Sequence, residues 1–357
     1  MRINRMKLLI LAQKVDSADP ILGFFHRWLS ELSAHYESII VICLGSGRVD
    51  LPGNIRVISL GKKAESRGTR VNFFLRILYA FNFFRHIIRE IPNYGSVFVH
   101  MNQEYVILGF PVWKLSGKKV MLWRNHPSGN ILTDIAVLFS DEVFCTSRFS
   151  YTAGFKKTRL MPVGIDTDFF RKRPSVGKNP RSILYLGRIS RIKNIDILIG
   201  ALNEIRGRGT DFRCDIVGGV YSADDRDYLE ELKAAVSEYG LEGRVSFRES
   251  VSNDDSAGMY NSHEITVNLS PDGMFDKVIF EAMSCESLVL TSNRNLSGEI
   301  GGEFLFRYRD KKDLSRKIRS ALDMPSPVKQ ESGRNFRDYV IARHGLKALA
   351  GEIRKYS

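Results

Sequence analysis

YLGRISRIKNIDILIGAL, residues 185–202, reads as a strand that stops at a glycine, a basic loop, and a helix. Tyr185 and Leu186 close an apolar run, Gly187 ends it, and Arg188, Arg191 and Lys193 follow. From Asn194 onward the apolar residues Ile195, Leu198, Ile199, Leu202 and Ile205 fall on one helical face. A buried strand that feeds a helix through a short loop is the repeating unit of a parallel α/β sheet. The loop carries Arg188 and Lys193 to a helix N-terminus, where backbone N–H groups and the helix dipole favour an anion. The arginine fork can grip a diphosphate and the lysine adds a mobile point charge. Taken alone, the segment reads equally well as a solvated basic loop.

The same unit recurs on both sides of this stretch. Ahead of it, KLLILA (7–12), IIVICL (39–44), SVFVH (96–100), KVMLW (119–123) and EVFCTS (142–147) read as buried strands, with helical patterns at 24–36 and 73–90. The cycle restarts with SILYLG (182–187), CDIVGG (214–219), RVSF (244–247), EITVNLS (264–270) and LVLTS (288–292). Between the two sets, RKRPSVGKNPR (171–181) has the Pro, Gly and basic content of a linker. The expected domains are 1–168 and 169–330, both Rossmann-like. A helix over 331–357, with Phe336, Tyr339, Val340, Leu346 and Leu349 on one side, is expected to dock back towards the first. Two such domains leave a central cleft, and open α/β sheets bind ligands at the carboxyl ends of their strands.

A length of 357 residues suits two ordinary domains. The four cysteines, Cys43, Cys145, Cys214 and Cys285, form no CxxC pair and sit in or beside apolar runs, as buried free thiols do in a reducing cytoplasm. No signal peptide is read at the start, and no run of about 18 apolar residues suggests a membrane span. A cytoplasmic protein is therefore expected. The net charge is +13, and residues 1–170 hold most of it, with 22 Lys+Arg against 13 Asp+Glu. That excess calls for an anionic partner or surface. KKAESRGTRVNFFLRILYAFNFFRHIIRE (62–90) mixes its basic residues with six aromatic rings. Such a helix suits the inner face of an anionic membrane, and equally a helix that packs its aromatic face on a sheet. No nucleic-acid motif accompanies the charge.

SPDGMFDKVIFEAMSCESLVL (270–290) reads as a strand end, a loop and a helix that opens around Asp276–Val278, with Glu281 in its first turns. A carboxylate there can accept hydrogen bonds from vicinal hydroxyls, although the helix dipole also favours a surface Glu early in a helix. Together, 185–202 and 270–290 resemble the family 4 retaining glycosyltransferases of GT-B fold. The first shows that family's G-R, then K, then LI-containing helix, and the second its EAM-A-C core, here EAMSC. MPVGIDTDFF (161–170) resembles the family's P-x-G-[VI]-D-x-x-x-F crossover. RVSFRESVSNDDSAGMYNSHEITVNLSP (244–271) resembles its V-x-F-x-G-x-V…Y…P-S region.

The resemblance implies an α/β, GT-B architecture of two doubly wound parallel-sheet domains facing a central cleft. It also implies a metal-independent hexosyltransferase. Such an enzyme moves sugar from a nucleoside-diphosphate sugar, UDP-sugar favoured over GDP-sugar, to a glycan or lipid-linked acceptor in surface polysaccharide or glycoconjugate synthesis. No cofactor is expected. Arg188 and Lys193 would bind the diphosphate and stabilise the leaving nucleotide. Glu281 would bind the ribose, Val251 would lie beside the base, and Met274, Phe275, Asp276 and Lys277 would run past the sugar and phosphates. Gly23, ahead of the first helix, fits the family's phosphate-approaching loop. His126, after KVMLW, aligns with a position near the donor sugar, whereas His100 reads as structural.

Two departures stand out. The family's first motif glutamate is Gly273 here, flanked by Asp272 and Asp276, and Glu286 stands where a glycine is usual. No DxD-like metal motif follows a strand, because Asp224-Asp225 reads as a helix start. A degenerate, non-catalytic GT-B partner and a nucleotide-sugar epimerase of the same architecture are the alternatives.

Overall fold

Runs of β-branched and leucine residues buried on both faces build two separate parallel sheets. The structure, a computed structural model, describes residues 6–19, 21–62 and 73–357. It divides into one unit of Met1–Gly164 with Leu346–Ser357, and a second of Ile165–Gly345. The first begins with β1 (Lys7–Val15), α1 (Phe24–Ser33), β2 (Ser38–Ser46), β3 (Ile55–Ser59) and α2 (Phe73–Arg89). It continues with β4 (Ser96–His100), α3 (Glu104–Leu115), β5 (Lys119–Trp123), α4 (Ile131–Phe139), β6 (Glu142–Cys145) and β7 (Thr158–Leu160). Its strands are ordered β3-β2-β1-β4-β5-β6-β7, all parallel. The edge strands β3 and β7 are short and only partly buried, which is why their apolar signal is weak in sequence.

Each face of this sheet has its own core. Leu9, Leu11, Val97, Val99 and Leu122 pack under α2, α3 and α4 through Phe83, Ile87, Val106, Trp113 and Val137. Leu8, Ile10, Val41, Phe98 and Met121 pack on the other face against Phe25, Trp28 and Leu29 of α1.

The second unit comprises β8 (Asn179–Leu186), α5 (Ile195–Gly207), β9 (Arg213–Val217), α6 (Ala223–Glu238), β10 (Val245–Arg248) and α7 (Asn253–Ser262). It is completed by β11 (His263–Asn268), α8 (Lys277–Ser284), β12 (Leu288–Thr291), α9 (Lys311–Asp323) and α10 (Ser326–His344). The strand order is β10-β9-β8-β11-β12, again parallel throughout. Ile195, Leu198, Ile199, Leu202 and Ile205 of α5 are all buried, as their spacing predicts.

The linker-like segment 171–181 is folded onto the second unit. Arg173 N donates to Asn261 Oδ1 (2.7 Å), Lys172 pairs with Glu286 (2.9 Å), and Lys178 Nζ donates to the His263 carbonyl (3.0 Å). Its last residues already belong to β8. The crossover motif is anchored there too, because Arg337 donates to the carbonyls of Thr167 and Phe170 (both 3.1 Å).

The C-terminal helical pattern is broken at Gly345 into α10 and α11 (Leu346–Lys355). Phe336 and Val340 are buried within the second unit, whereas Leu346, Leu349, Ala350 and Ile353 complete the α1-side core of the first. Gly164 makes that packing possible. Its φ is +78°, its carbonyl accepts Trp28 Nε1 (2.9 Å), and a Cβ would lie 2.3 Å from Leu349 Cδ2. Gly164→Ala therefore combines left-handed backbone strain with overpacking. Urea unfolding should show a loss of at least about 2 kcal/mol, whereas a loss below about 0.5 kcal/mol would contradict this packing.

Candidate functional site

In the second unit the strand order reverses between β8 and β11, so the loops after these strands diverge and leave a crevice at their carboxyl ends. The loop after β8 carries Arg188 and Lys193, and the loop after β11 runs from Leu269 to Asp276. Lys193 reaches across. Its Nζ donates to Ser270 Oγ (3.0 Å) and to Asp276 Oδ2 (2.5 Å). Asn268 Nδ2 (3.2 Å) and Ser270 Oγ donate to the same Asp276 oxygen. Asn194, in the left-handed region at φ +50°, reinforces the crossing through Nδ2 to the Leu269 carbonyl (3.1 Å).

Burial alone would raise the Asp276 pKa, but the Lys193 charge and hydrogen bond, with Ser270 and Asn268, hold it below the ordinary carboxylate value. Asp276 occupies the position before α8, yet its side chain makes no cap hydrogen bond and serves Lys193 instead.

Arg188 is exposed, and its side chain has no hydrogen bond or ion pair among the described residues. Its carbonyl accepts Tyr185 Oη (3.0 Å), which fixes the backbone of the loop. Lys277 opens α8 and Glu281 lies one turn on, so the two share a helix face. Desolvation pulls the Lys277 ammonium down to about 7, opposed by the Glu281 carboxylate. Glu281 is buried and accepts Tyr260 Oη (2.9 Å). Burial, with that carboxylate beside it, pushes the Tyr260 phenol well above its usual pKa and keeps it a donor. Val251 is half-buried in the loop after β10, on the same carboxyl rim.

Three buried hydroxyl or amide oxygens on this rim, Ser190 Oγ, Asn253 Oδ1 and Ser292 Oγ, have no hydrogen-bond partner among the described residues. Polar atoms of this kind suit a polar ligand.

The structure thus joins Lys193 and Asp276 directly, and Lys277 and Glu281 by helix spacing. Phe275 is turned inward, edge-on to Phe280 (centroids 4.6 Å apart) and packed on His344, so its ring belongs to the core. The Met274 carbonyl accepts Asn293 Nδ2 (2.9 Å). Asp272, one of the two acids beside Gly273, is engaged with Arg294 through the Arg294 backbone amide (2.6 Å) and Nε (2.5 Å). Glu286 takes the left-handed conformation (φ +57°) that a glycine would adopt after the helix, so the helix end keeps its usual shape. Asp224-Asp225 opens α6 as expected, where Ser222 Oγ accepts the Asp225 amide (3.0 Å).

Gly23 and His126 lie in the first unit, in loops after β1 and β5 at that sheet's carboxyl rim. Gly23 has an ordinary helical φ. A Cβ would instead meet the Asp19 carbonyl at 2.6 Å, in a turn where buried Asp19 accepts the Ile21 and Leu22 amides and pairs with Lys14 (2.9 Å). His126 is exposed, and its Nδ1 accepts the Ser128 amide (3.1 Å). His100 is buried and stacks on Phe25 (4.4 Å), the structural role its position suggests.

Sequence reading left Asn268, Ser270 and Tyr260 without roles. Tyr260 and Ser270 lie inside quoted motifs, but only the fold shows which carboxylates they hold.

Residues 166–341 match the family model described as glycosyl transferases group 1. A D-inositol 3-phosphate glycosyltransferase of Arthrobacter sp. (strain FB24) is 28% identical over 152 residues, 40% of this chain and 35% of that protein. The chain spans about a third of the length of the curated relatives it matches. Among solved structures, a sucrose-phosphate synthase from Thermosynechococcus elongatus superposes with a TM-score of 0.78 at 18% identity, covering 98% of both chains. Anabaena Alr3699/HepE in complex with UDP-glucose does so with a TM-score of 0.75 at 17% identity, also over 98% of both. The fold is GT-B, and residues 166–341 carry the group 1 glycosyltransferase match.

The ion pair yields a direct test. Asp276 is held below its ordinary pKa, so its stabilising pairing is complete above the ordinary carboxylate range and is lost as pH falls through the folded value. In Lys193→Met only the Ser270 and Asn268 hydrogen bonds still oppose burial, and carboxyl NMR titration should show the Asp276 pKa raised from its parent value. An unchanged pKa would show that Lys193 does not hold this carboxylate.

Proposed function

We propose that this chain, whose second unit carries the group 1 glycosyltransferase match, is a metal-independent hexosyltransferase acting with retention of configuration. The donor is a nucleoside-diphosphate sugar, UDP-sugar in preference to GDP-sugar. The acceptor is a glycan or lipid-linked sugar of surface polysaccharide or glycoconjugate synthesis, reached in the cytoplasm at the membrane's inner face through the helix within 62–90. The observation that carries this reading is the convergence of Arg188, Lys193 and the α8 N-terminus at the β8/β11 crevice. The UDP-glucose bound by Anabaena Alr3699/HepE, a protein of the same fold, supports the choice of donor.

Transfer breaks the bond between the anomeric carbon and the β-phosphate oxygen and leaves the bonding pair on the nucleoside diphosphate. Fixed cations and helix-terminal amides aimed at that charge lower the barrier, and one such donor is worth about 3–4 kcal/mol in well-measured cases. Arg188 and Lys193 meet this need, with Ser270 and Asp276 holding the Lys193 ammonium in place before the phosphate arrives. Glu281, oriented by Tyr260, accepts the ribose hydroxyls. The acceptor attacks from the leaving-group face, and the departing phosphate takes its proton, so no carboxylate nucleophile is needed.

A second reading, a GT-B partner without catalysis, is favoured by one observation. Asp272 and Asp276, the acids beside Gly273, are both committed to cations. A thermal-shift series with UDP, GDP, ADP and CMP separates the two. Stabilisation by UDP that Arg188→Ala abolishes, together with sugar release from a UDP-sugar, is the expected result. No shift with any nucleotide would overturn the enzyme reading.

Lys277 supplies a further signature. With its pKa near about 7 in the free protein, a bound diphosphate raises it, so binding at about pH 8 takes up a proton. Calorimetry in buffers of different ionisation enthalpy should show this uptake in the parent and its loss in Lys277→Met. Equal uptake in both would remove Lys277 from the phosphate site.

A further inference from the structure

On α2 the residues Phe74, Leu78, Phe81, Arg85 and Ile88 follow one another at helical spacing and are all exposed. Phe74 is 76% exposed and Phe81 65%. The opposite stripe, Phe83 and Ile87, is fully buried on the sheet. A surface helix ordinarily turns a polar stripe outward, and one that is apolar on both sides is covered on both sides.

The neighbouring helices continue the pattern. α2 packs on α3, and α3 on α4. Leu108 and Leu115 of α3 are exposed, as are Ile131, Leu132 and Leu138 of α4. Eleven of the eighteen exposed large apolar side chains among the described residues lie on these three helices, which makes a continuous face of what would be unremarkable as scattered residues.

Cations border this face. Arg76, Arg85 and Lys114 are exposed and make no ion pair among the described residues. Phe110, midway along α3, stacks on Phe139 at the end of α4 (3.9 Å, 9°) beside an open groove of about 710 Å³. Lys114, Lys118, Lys119 and Lys157 line that groove. Lys157 is spent on the carbonyls of Val137, Leu138 and Ser140, and Lys118 on that of Tyr94. Lys114 and Lys119 make no ion pair among the described residues. The one acid in the groove, Asp141, accepts the Val120 amide (2.7 Å).

We infer that the outer face of α2, α3 and α4 docks on an anionic phospholipid bilayer. Apolar side chains enter the acyl boundary, while Arg76, Arg85, Lys114 and Lys119 meet lipid phosphates at its rim. The inference rests on the membrane contact proposed above and enlarges it from the segment 62–90 to three helices and a lysine groove. Charge selects this occupant over a second copy of the chain. A self-paired face would bring Arg85 and Lys114 against their own likenesses, and like charges in apposition cost several kcal/mol. No helix among the described residues is long and apolar enough to cross a membrane, so the contact is peripheral.

The test is flotation of the purified full chain with vesicles of phosphatidylcholine alone or with phosphatidylglycerol, without nucleotide. Binding to the phosphatidylglycerol vesicles, weakened by salt, is expected. Leu78→Ser/Phe81→Ser should weaken it at least tenfold, and Arg85→Glu/Lys114→Glu should abolish the preference for anionic lipid. Melting temperatures close to the parent's will show that both variants fold. Indifference to lipid charge, unchanged binding by the variants, or a parent dimer that the serine variant turns into a monomer would each overturn the inference. The UDP thermal shift is read separately, so loss of the donor site and loss of the membrane face give different results.

Discussion

A lysine and an aspartate drawn together across the β8/β11 crevice organise the candidate site. Parallel pairing sends the carboxyl ends of β8 and β11 to one rim, and the reversal of strand order beside them leaves room between the loops that follow. The Lys193–Asp276 pair spans that gap, with Ser270 and Asn268 filling the remaining hydrogen-bonding capacity of the carboxylate. A partly buried ion pair is tolerated when its partners are hydrogen-bonded in this way. In the reaction proposed above, the pair holds a cation for the leaving phosphate before any ligand arrives, and a diphosphate competes with Asp276 for the ammonium.

Around this pair the second unit departs from the resembled motifs in particular side chains. Glu286 adopts the left-handed backbone of the usual glycine, and Lys172 pairs with its carboxylate. Gly273 stands where the resembled motif has a glutamate, and the neighbouring acids do not replace it, since Asp272 holds Arg294 and Asp276 holds Lys193. The reaction proposed here therefore depends on cations that stabilise the leaving group rather than on a carboxylate near the sugar. Tyr260 and Glu281 show the same economy, with one buried phenol orienting one buried carboxylate.

The first unit shows how a sheet with two covered faces can treat them differently. Its α1 side is sealed by the returning α11, whose Leu346, Leu349 and Ile353 fill the core around Trp28. Its other side is sealed only inward, so α2, α3 and α4 bury one apolar stripe and present another. Burial on the sheet accounts for Phe83 and Ile87, while Leu78 and Phe81 stay exposed on the opposite stripe.

Much of this was readable in the chain. The strands SVFVH and KVMLW appear with the bounds their apolar runs suggest, and α5 begins within a residue of Asn194. Periodicity and glycine stops are local signals, and local physics determines them. Residues 63–72 of the 62–90 segment lie outside the described residues, so its described part is the helix α2. Other features were set by contacts distant in sequence. The segment 171–181 has a linker's composition but is held by Asn261, His263 and Glu286, some 85 to 114 residues away. The single C-terminal helix expected from 331–357 is divided at Gly345, because its two apolar stretches are buried in different cores. Phe275, in a ligand-facing motif, turns inward because Phe280 and His344 offer it a buried contact. Sequence by itself determined the elements, their alternation and the residue types at the crevice, because each follows from neighbours along the chain. Tertiary structure alone decided which carboxylate each cation holds and which apolar stripe stays uncovered, because those depend on what packing brings within reach.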